Sequence, residues 1–194
     1  MSRITSVCVY CGSRVGGHQG YRGIAAALGR RLAERGIGLV YGGGQVGLMG
    51  VAADAALAAG GRVTGIIPGH LHDREVSHGG VSELVIVDSM HARKTLMFER
   101  ADAFVTLPGG LGTLDETIEI ITWRQLGLHD KPIFLLNEQD YWRPFLALVE
   151  HVIGHGFAGP GARALFQVVD DLDALMRALE AMPAPAAPAD SDRL

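Results

Sequence analysis

The sequence predicts an α/β fold, a Rossmann-like three-layer sandwich with a mainly parallel sheet of about seven strands. Two patterns in the 194 residues support this prediction. Short apolar runs that suit buried strands alternate with longer runs that suit helices, which is the order of parallel βαβ units. The predicted strands are apolar at nearly every position, as expected when helices cover both faces of a sheet.

Glycine, proline and capping residues set the limits of these elements. Gly36 ends the first helix and Pro68 stops the third strand. Asp88 or Ser89 caps the helix that follows the fourth strand. The predicted strands are 4–10, 37–41, 62–67, 83–87, 103–106, 132–136 and 166–169. The predicted helices are 20–35, 46–59, 90–100, 117–126, 141–155 and 172–182, and a polar loop is predicted at 69–81.

These elements predict one domain over residues 1–182. The tail at 183–194 alternates Pro with Ala and is predicted to be disordered. The net charge of -4 gives no basic footprint for nucleic acid. No apolar run is long enough to span a bilayer, and the N-terminus enters a strand without a signal peptide, so a cytoplasmic protein is expected.

Cys8 and Cys11 form a Cys-x-x-Cys motif, which in other folds is a redox pair or half of a metal site. Here Cys8 lies within the first predicted strand, and residues three apart on a strand point to opposite faces. We therefore predict two reduced thiols, with Cys8 in the core, and no metal site.

The glycine-rich stretch 107–116 lies between the fifth predicted strand and the following helix. Three closely spaced glycines let backbone N–H groups approach an anion, and the first N–H groups of a helix are unpaired at its positive end. The stretch therefore predicts a phosphate site, to which Thr113 adds a hydroxyl. An alternative is a capping box in which Thr113 and Glu116 only close the helix end.

Glycine-rich loops also follow the first and second predicted strands, so three such loops lie at the carboxyl edge of the sheet and suggest a nucleotide-sized ligand. The sequence Gly42-x-Gly44-x-x-Gly47 matches a dinucleotide fingerprint, but it follows the second strand and no acid ends the next strand. NAD is therefore disfavoured. Since no P-loop sequence is present, a nucleotide with one phosphate is favoured.

A second informative stretch is 89–97. On a helix, Met90, Arg93 and Met97 share one face, which places an arginine in an apolar stripe. The side chain could extend its charged group to water. Alternatively it is buried beside an anion, and Glu116 or a substrate phosphate would serve.

The two stretches together, Pro108-Gly-Gly-x-Gly-Thr-x-x-Glu116 and Met90-His-x-Arg93-Lys94, resemble the LONELY GUY (LOG) family. Members of this family hydrolyse cytokinin riboside 5′-monophosphates to free base and ribose 5-phosphate, and bacterial members commonly cleave AMP. The resemblance covers nearly the whole chain. It includes Tyr10-Cys11-Gly12-Ser13, Tyr41-Gly-Gly-Gly44, Gly47-Leu48-Met49-Gly50, Arg74-Glu75, Ile121-Thr122-Trp123 and Asp130-Lys131-Pro132.

The resemblance implies roles for individual residues. Arg93 and Glu116 match the catalytic pair of the family, and no cofactor is implied. The matching phosphate and nucleotide contacts are Gly109, Gly110, Leu111, Gly112, Thr113, Lys94, Glu75, Ser13, Gly43, Gly44, Met90 and Thr122. Glu116 is expected in the first turn of its helix, where the dipole favours an ionised carboxylate that acts as a base.

Two other functions are alternatives to this hydrolase activity. A pyridoxal-dependent decarboxylase needs a Schiff-base lysine, and neither Lys94 nor Lys131, the two lysines of the chain, has an accompanying cofactor signature. The stronger alternative is a non-catalytic nucleotide carrier related to molybdenum cofactor carrier proteins, which share the Pro-Gly-Gly-x-Gly-Thr loop. A carrier has no need of the Arg93–Glu116 pair.

The helix after the phosphate loop predicts a homodimer. Ile118 and Ile121 share one side of it with Leu114, while Ile120 and Trp123 point well away. A helix that is apolar on more than one side is buried on more than one side, and the sheet covers only the inner one. The helix at 141–155 could cover the outer side within one chain, but the family resemblance also implies a dimer.

Overall fold

The computed structural model describes residues 4–72 and 77–182. Seven parallel strands form one sheet in the order β4-β3-β2-β1-β5-β6-β7. The strands are β1 Ser6–Tyr10, β2 Gly38–Tyr41, β3 Val63–Pro68, β4 Glu83–Val87, β5 Ala103–Thr106, β6 Ile133–Leu136 and β7 Gln167–Val169. The predicted fold class is confirmed.

Seven α-helices are present among the described residues: α1 Gln19–Glu34, α2 Gly47–Ala58, α3 Gly69–His72, α4 Met90–Glu99, α5 Leu111–Gln125, α6 Arg143–Gly154 and α7 Leu172–Ala181. Two 3₁₀ turns, Glu138–Asp140 and Pro160–Leu165, flank α6. The short helix α3 lies where the sequence predicted only a loop. The predicted tail at 183–194 and the candidate Glu75 lie outside the described residues.

Two apolar clusters lie on opposite faces of the sheet and make the three layers. One combines Val7 and Val9 of β1 with buried residues of α1, α2 and α7. The other combines Cys8 and Tyr10 with residues of α4, α5 and α6. Cys11 packs in the first cluster and both thiols are free, so the predicted opposite orientation of the two cysteines is confirmed.

The chain reverses its direction of sheet growth between β1 and β5, because β2 to β4 extend from one side and β5 to β7 from the other. Ligands of open parallel sheets bind at such a switch point. Backbone hydrogen bonds join the loops there: the N–H of Gly12 donates to Pro108 O at 3.1 Å, and the N–H of Leu48 donates to Gly12 O at 2.9 Å. The fold therefore gathers the predicted glycine-rich loops at one edge.

Helices in the described parts of the chain are too short or too polar to cross a membrane.

Candidate active site

Helix α5 begins at the phosphate loop, six residues before its predicted start. Gly110 is the extended N-cap residue, and no side chain caps the helix. Thr113 is therefore the third helical residue and Glu116 the sixth, so the capping-box alternative is wrong and Glu116 lies in the second turn rather than the first. The unpaired N–H groups of the first turn are left for a ligand.

The loop before α5 is closely packed. A Cβ atom on Gly109 would lie 2.1 Å from the Thr113 hydroxyl oxygen, so only glycine fits at this position. Thr113 itself is buried, and the hydroxyl of Tyr141 donates a hydrogen bond to the carbonyl of Gly109. By contrast, Cβ atoms on Gly110 and Gly112 would meet no atom within 4 Å, so the space beside these two residues is open.

Arg93 enters this site from α4 and is buried, with 6% of its surface exposed. Its Nη2 donates to the carbonyl of Gly42 at 3.2 Å, and its Nη1 lies 3.7 Å from the sulfur of Met90. Within the described residues its Nε atom is buried without a hydrogen-bond partner. The arginine therefore does not extend to water, and the buried alternative is the right one.

Gly42 allows this placement of Arg93. A Cβ atom at Gly42 would lie 1.8 Å from Nη2 of Arg93, a distance that no packed structure tolerates. Because Gly42 has no side chain, the loop after β2 packs directly against the guanidinium group. The predicted residues Gly43 and Gly44 lie in the same loop, and Gly43 has a φ of 78°, which favours glycine.

Glu116 faces Arg93, with 4.0 Å between its Oε1 and Nη2 of the arginine. Side-chain exposure is 7% for Arg93 and 12% for Glu116. Burial raises the pKa of Glu116 to about 7, and it outweighs the opposing attraction of Arg93 and Lys94. An ionised carboxylate was expected from the helix dipole. Burial instead brings the pKa of Glu116 close to neutral pH.

Lys94 links helices α4 and α5. Its Nζ lies 2.7 Å from Asp115 Oδ2 and 3.2 Å from Glu119 Oε2. Burial lowers the pKa of Lys94, but the two carboxylates together outweigh it and raise the pKa above its ordinary value. The carboxylates also hold the ammonium group close to Asp115, which lines the neighbouring cavity. Contact of Lys94 with a phosphate stays a prediction.

A cavity of about 250 Å³ joins these groups. We call it the Arg93–Glu116 cavity. Of the predicted residues it includes Ser13, Met90, Arg93, Gly110, Leu111, Gly112, Thr113 and Glu116. The predicted site residues did not include Cys11, Met49, Leu71 and Asp115, which also line it. Cys11 could have been found because it follows β1 at the carboxyl edge, whereas Leu71 belongs to the unpredicted helix α3.

Thr122 is not part of this cavity within one chain. It lies eleven residues after the start of α5, which is about 16 Å along a helix at 1.5 Å per residue. Its hydroxyl donates to the carbonyl of Ile118 at 2.8 Å, and its side chain lines a separate groove between α5 and α6. Contact of Thr122 with the ligand therefore stays a prediction, and within one chain Thr122 lies outside the Arg93–Glu116 cavity.

Known proteins resemble this chain in sequence and in structure. A family model described as "possible lysine decarboxylase" matches residues 49–179. The cytokinin riboside 5′-monophosphate phosphoribohydrolase LOG of Oryza sativa subsp. japonica is 48% identical over 84% of this chain and 68% of its own length. The cytokinin riboside 5′-monophosphate phosphoribohydrolase of Rhodococcoides fascians is 45% identical over 90% of this chain and 88% of its own.

A solved structure of the molybdenum cofactor carrier protein from Chlamydomonas reinhardtii has the same fold, with a TM-score of 0.68 and 22% identity over 91% of this chain and 96% of that one. At this level of identity the likeness concerns the fold alone.

The decarboxylase description does not fit the residues present. Lys94 is held by two carboxylates, and Lys131 donates to the carbonyl of Phe98 at 2.8 Å with its ammonium group over the Phe98 ring. Neither lysine lines the Arg93–Glu116 cavity, so neither is placed to form a Schiff base there. Sequence identity over nearly the whole chain, together with this site, shows that the chain belongs to the LOG family of cytokinin riboside 5′-monophosphate phosphoribohydrolases.

Proposed function

We propose that this protein hydrolyses the N-glycosidic bond of a nucleoside 5′-monophosphate and releases the free base and ribose 5-phosphate. The substrate is AMP or an adenine nucleotide substituted at N6. The observation that carries this proposal is the buried Arg93–Glu116 pair, which opens into a cavity beside the uncapped start of α5. A cytoplasmic location, expected from the sequence, is part of the proposal.

The start of α5 would bind the 5′-phosphate. The unpaired N–H groups of the first turn would donate to the phosphate oxygens, and the positive end of the helix dipole would favour their negative charge. Ser13 and Thr113 both line the cavity and would supply hydroxyl groups. Binding the phosphate there fixes the distance of the ribose from Glu116.

Glu116 would act on the ribose and on the attacking water. Breaking an N-glycosidic bond builds positive charge on the sugar, and a carboxylate in a water-poor site stabilises that charge. A carboxyl group with a pKa of about 7 is partly ionised near neutral pH, and its ionised form can accept a proton from the attacking water. Arg93, fixed by the Gly42 carbonyl, holds the carboxylate and the ribose hydroxyls in register.

A non-catalytic carrier is the second candidate, because its fold and phosphate loop would look the same. The buried ion pair argues against it. Burying two charged groups costs free energy, and binding one phosphate at a helix start does not require them. Chemistry at the ribose does require them.

Purified protein incubated with AMP and with N6-isopentenyl AMP, in separate reactions across pH 6–9, provides the direct test. We expect free base and ribose 5-phosphate in equal amounts from at least one of them, resolved by chromatography. Nucleotide that binds but is recovered intact would favour the carrier instead.

The outer surface of α5 supports a homodimer as a further part of the proposal. Ile120 packs in the core, but Ile118 is 48% exposed and Leu126 is 67% exposed. Helix α6 covers this side only in part, because an apolar groove of about 210 Å³ remains between the two helices. Large exposed apolar surface usually marks an interface, and twofold pairing is the commonest solution.

We expect light scattering at micromolar concentration to give about twice the chain mass of 20.6 kDa. Replacing Ile118 with Asp should shift the protein toward monomer, because the new charge would be desolvated at the interface. Replacing Val46 with Asp is the matched control. Val46 is an exposed apolar residue too, but it is the N-cap residue of α2 and does not line this groove. A monomeric wild type with full activity would contradict the dimer.

A further inference from the structure

A second cavity lies on the other side of the phosphate loop. Its volume is about 510 Å³, about twice that of the Arg93–Glu116 cavity. We call it the tyrosine cavity, because Tyr21 of α1 and Tyr141 line it. The two cavities share Ser13, Gly110 and Leu111. The reaction proposed above uses only the smaller one.

The lining of the tyrosine cavity suits a flat aromatic group. The rings of Tyr21 and Tyr141 lie 5.7 Å apart in an edge-to-face arrangement, and the hydrogen bond to Gly109 fixes the Tyr141 ring. Leu48 and Val15 add apolar surface. Leu111, which lines both cavities, is 86% exposed, and a ligand that covers it removes apolar surface from water.

The three residues shared by the two cavities determine which part of a ligand can extend into the tyrosine cavity. If the ribose lies beside Glu116 and the 5′-phosphate lies at the start of α5, the nucleoside fills the Arg93–Glu116 cavity. The free oxygens of the phosphate then lie at Ser13, Gly110 and Leu111, where the two cavities meet. A group attached to the phosphate on the side away from the ribose enters the tyrosine cavity, where Arg14 adds a positive charge for a second phosphate.

We propose that the tyrosine cavity binds the second nucleoside of a dinucleotide, in which two nucleosides are joined through their 5′-phosphates. This inference rests on the proposed function, because that function places the first phosphate. The mode differs from the dinucleotide fingerprint that the sequence disfavours. Here the second base is held by aromatic and apolar side chains, and no acid is needed on its ribose.

The test is isothermal titration calorimetry of the Glu116→Gln variant, which avoids turnover, with AMP, ADP and diadenosine 5′,5′-pyrophosphate. Comparing ADP with the dinucleotide isolates the contribution of the second nucleoside to the affinity. We expect the dinucleotide to bind about tenfold or more tightly than ADP, the range that stacking of one base on aromatic side chains provides. Tyr21→Ala should remove that advantage, while Tyr21→Phe should keep it and both should leave AMP affinity within about twofold.

Equal affinities for ADP and the dinucleotide overturn the proposal. N6-isopentenyl AMP is titrated in parallel, and a Tyr21→Ala variant that loses affinity only for this ligand also overturns the proposal, because the cavity then holds the N6 substituent. Cleavage of AMP by the wild type, measured in parallel, keeps the two proposals apart. Cleavage without a dinucleotide advantage removes only this inference, and a dinucleotide advantage without cleavage removes only the hydrolase.

Discussion

Replacing Glu116 with Gln should lower kcat for the nucleoside monophosphate by about 10²- to 10⁴-fold, the usual contribution of a positioned acid–base group. Glutamine keeps the size of the side chain but cannot accept a proton or oppose positive charge on the ribose. The dissociation constant should change by only a few-fold, because the phosphate contacts come from the start of α5. Single-turnover kinetics and titration calorimetry measure the two effects separately.

The pH dependence identifies the same group. Because burial raises the pKa of Glu116 to about 7, the carboxylate form needed for a base accumulates as pH rises through 7. We expect kcat/KM to fall about tenfold per pH unit from pH 7 down to about pH 6 and to level off above 7. A phosphate monoester also titrates near pH 6, so the wild type should show both transitions and Glu116→Gln only the lower one.

Glu119→Gln is the matched control, since Glu119 lies on the same helix and contacts Lys94 at 3.2 Å but does not line the Arg93–Glu116 cavity. It should change kcat by less than about threefold. If Glu116→Gln behaves like this control, the carboxylate of Glu116 has only a structural role and the carrier becomes the better interpretation.

The fold was predictable because its signals are local. Buried parallel strands are apolar throughout, and glycine or proline marks the ends of elements, as Gly36 does after α1 and Pro68 at the end of β3. The gathering of the glycine-rich loops at one edge follows from the direction of parallel strands. The place of Arg93 was predictable in part, because its spacing from Met90 and Met97 put it on an apolar helix face.

The properties of Glu116 were not predictable, because they depend on burial by distant parts of the chain. The helix around it starts at Leu111 despite a glycine in its first turn, since tertiary packing overrides weak local propensity. The carboxylate is then buried beside Arg93 of α4, and burial rather than the helix dipole determines its pKa. The ion pairs of Lys94 arise for the same reason, from the packing of α4 on α5.

No local sequence pattern predicts the tyrosine cavity. Tyr21 and Tyr141 are 120 positions apart in sequence, and each by itself is an ordinary aromatic residue of a helix or turn. Only the order of the strands, with β1 beside β5, brings α1 and the segment after β6 to the same end of the sheet. Sequence patterns report periodicity along a chain, whereas a cavity depends on which elements become neighbours.

Replacing Gly112 with Val should raise the dissociation constant for AMP by about 100-fold or more while leaving the fold intact. The free protein has room for the side chain, because a Cβ atom at Gly112 meets nothing within 4 Å. That same space is where a phosphate must approach the N–H groups of the first turn, and each hydrogen bond to a charged group contributes about 1.5–3 kcal/mol. Calorimetric titration gives the affinity, and circular dichroism with thermal unfolding reports on the fold.

Gly23→Val is the control for this substitution. Gly23 is an exposed glycine within α1 whose Cβ atom would also meet nothing within 4 Å, so valine there tests the effect of a branched residue in a helix alone. Gly109→Val is the opposite case, since its side chain would collide with Thr113 and should destabilise the loop itself. Loss of binding at Gly112 with normal stability, and with no effect at Gly23, would place the anion at the start of α5. If Gly112→Val still binds AMP normally, the phosphate binds elsewhere. The ribose would then also lie elsewhere, and Glu116 would not be placed to act on it.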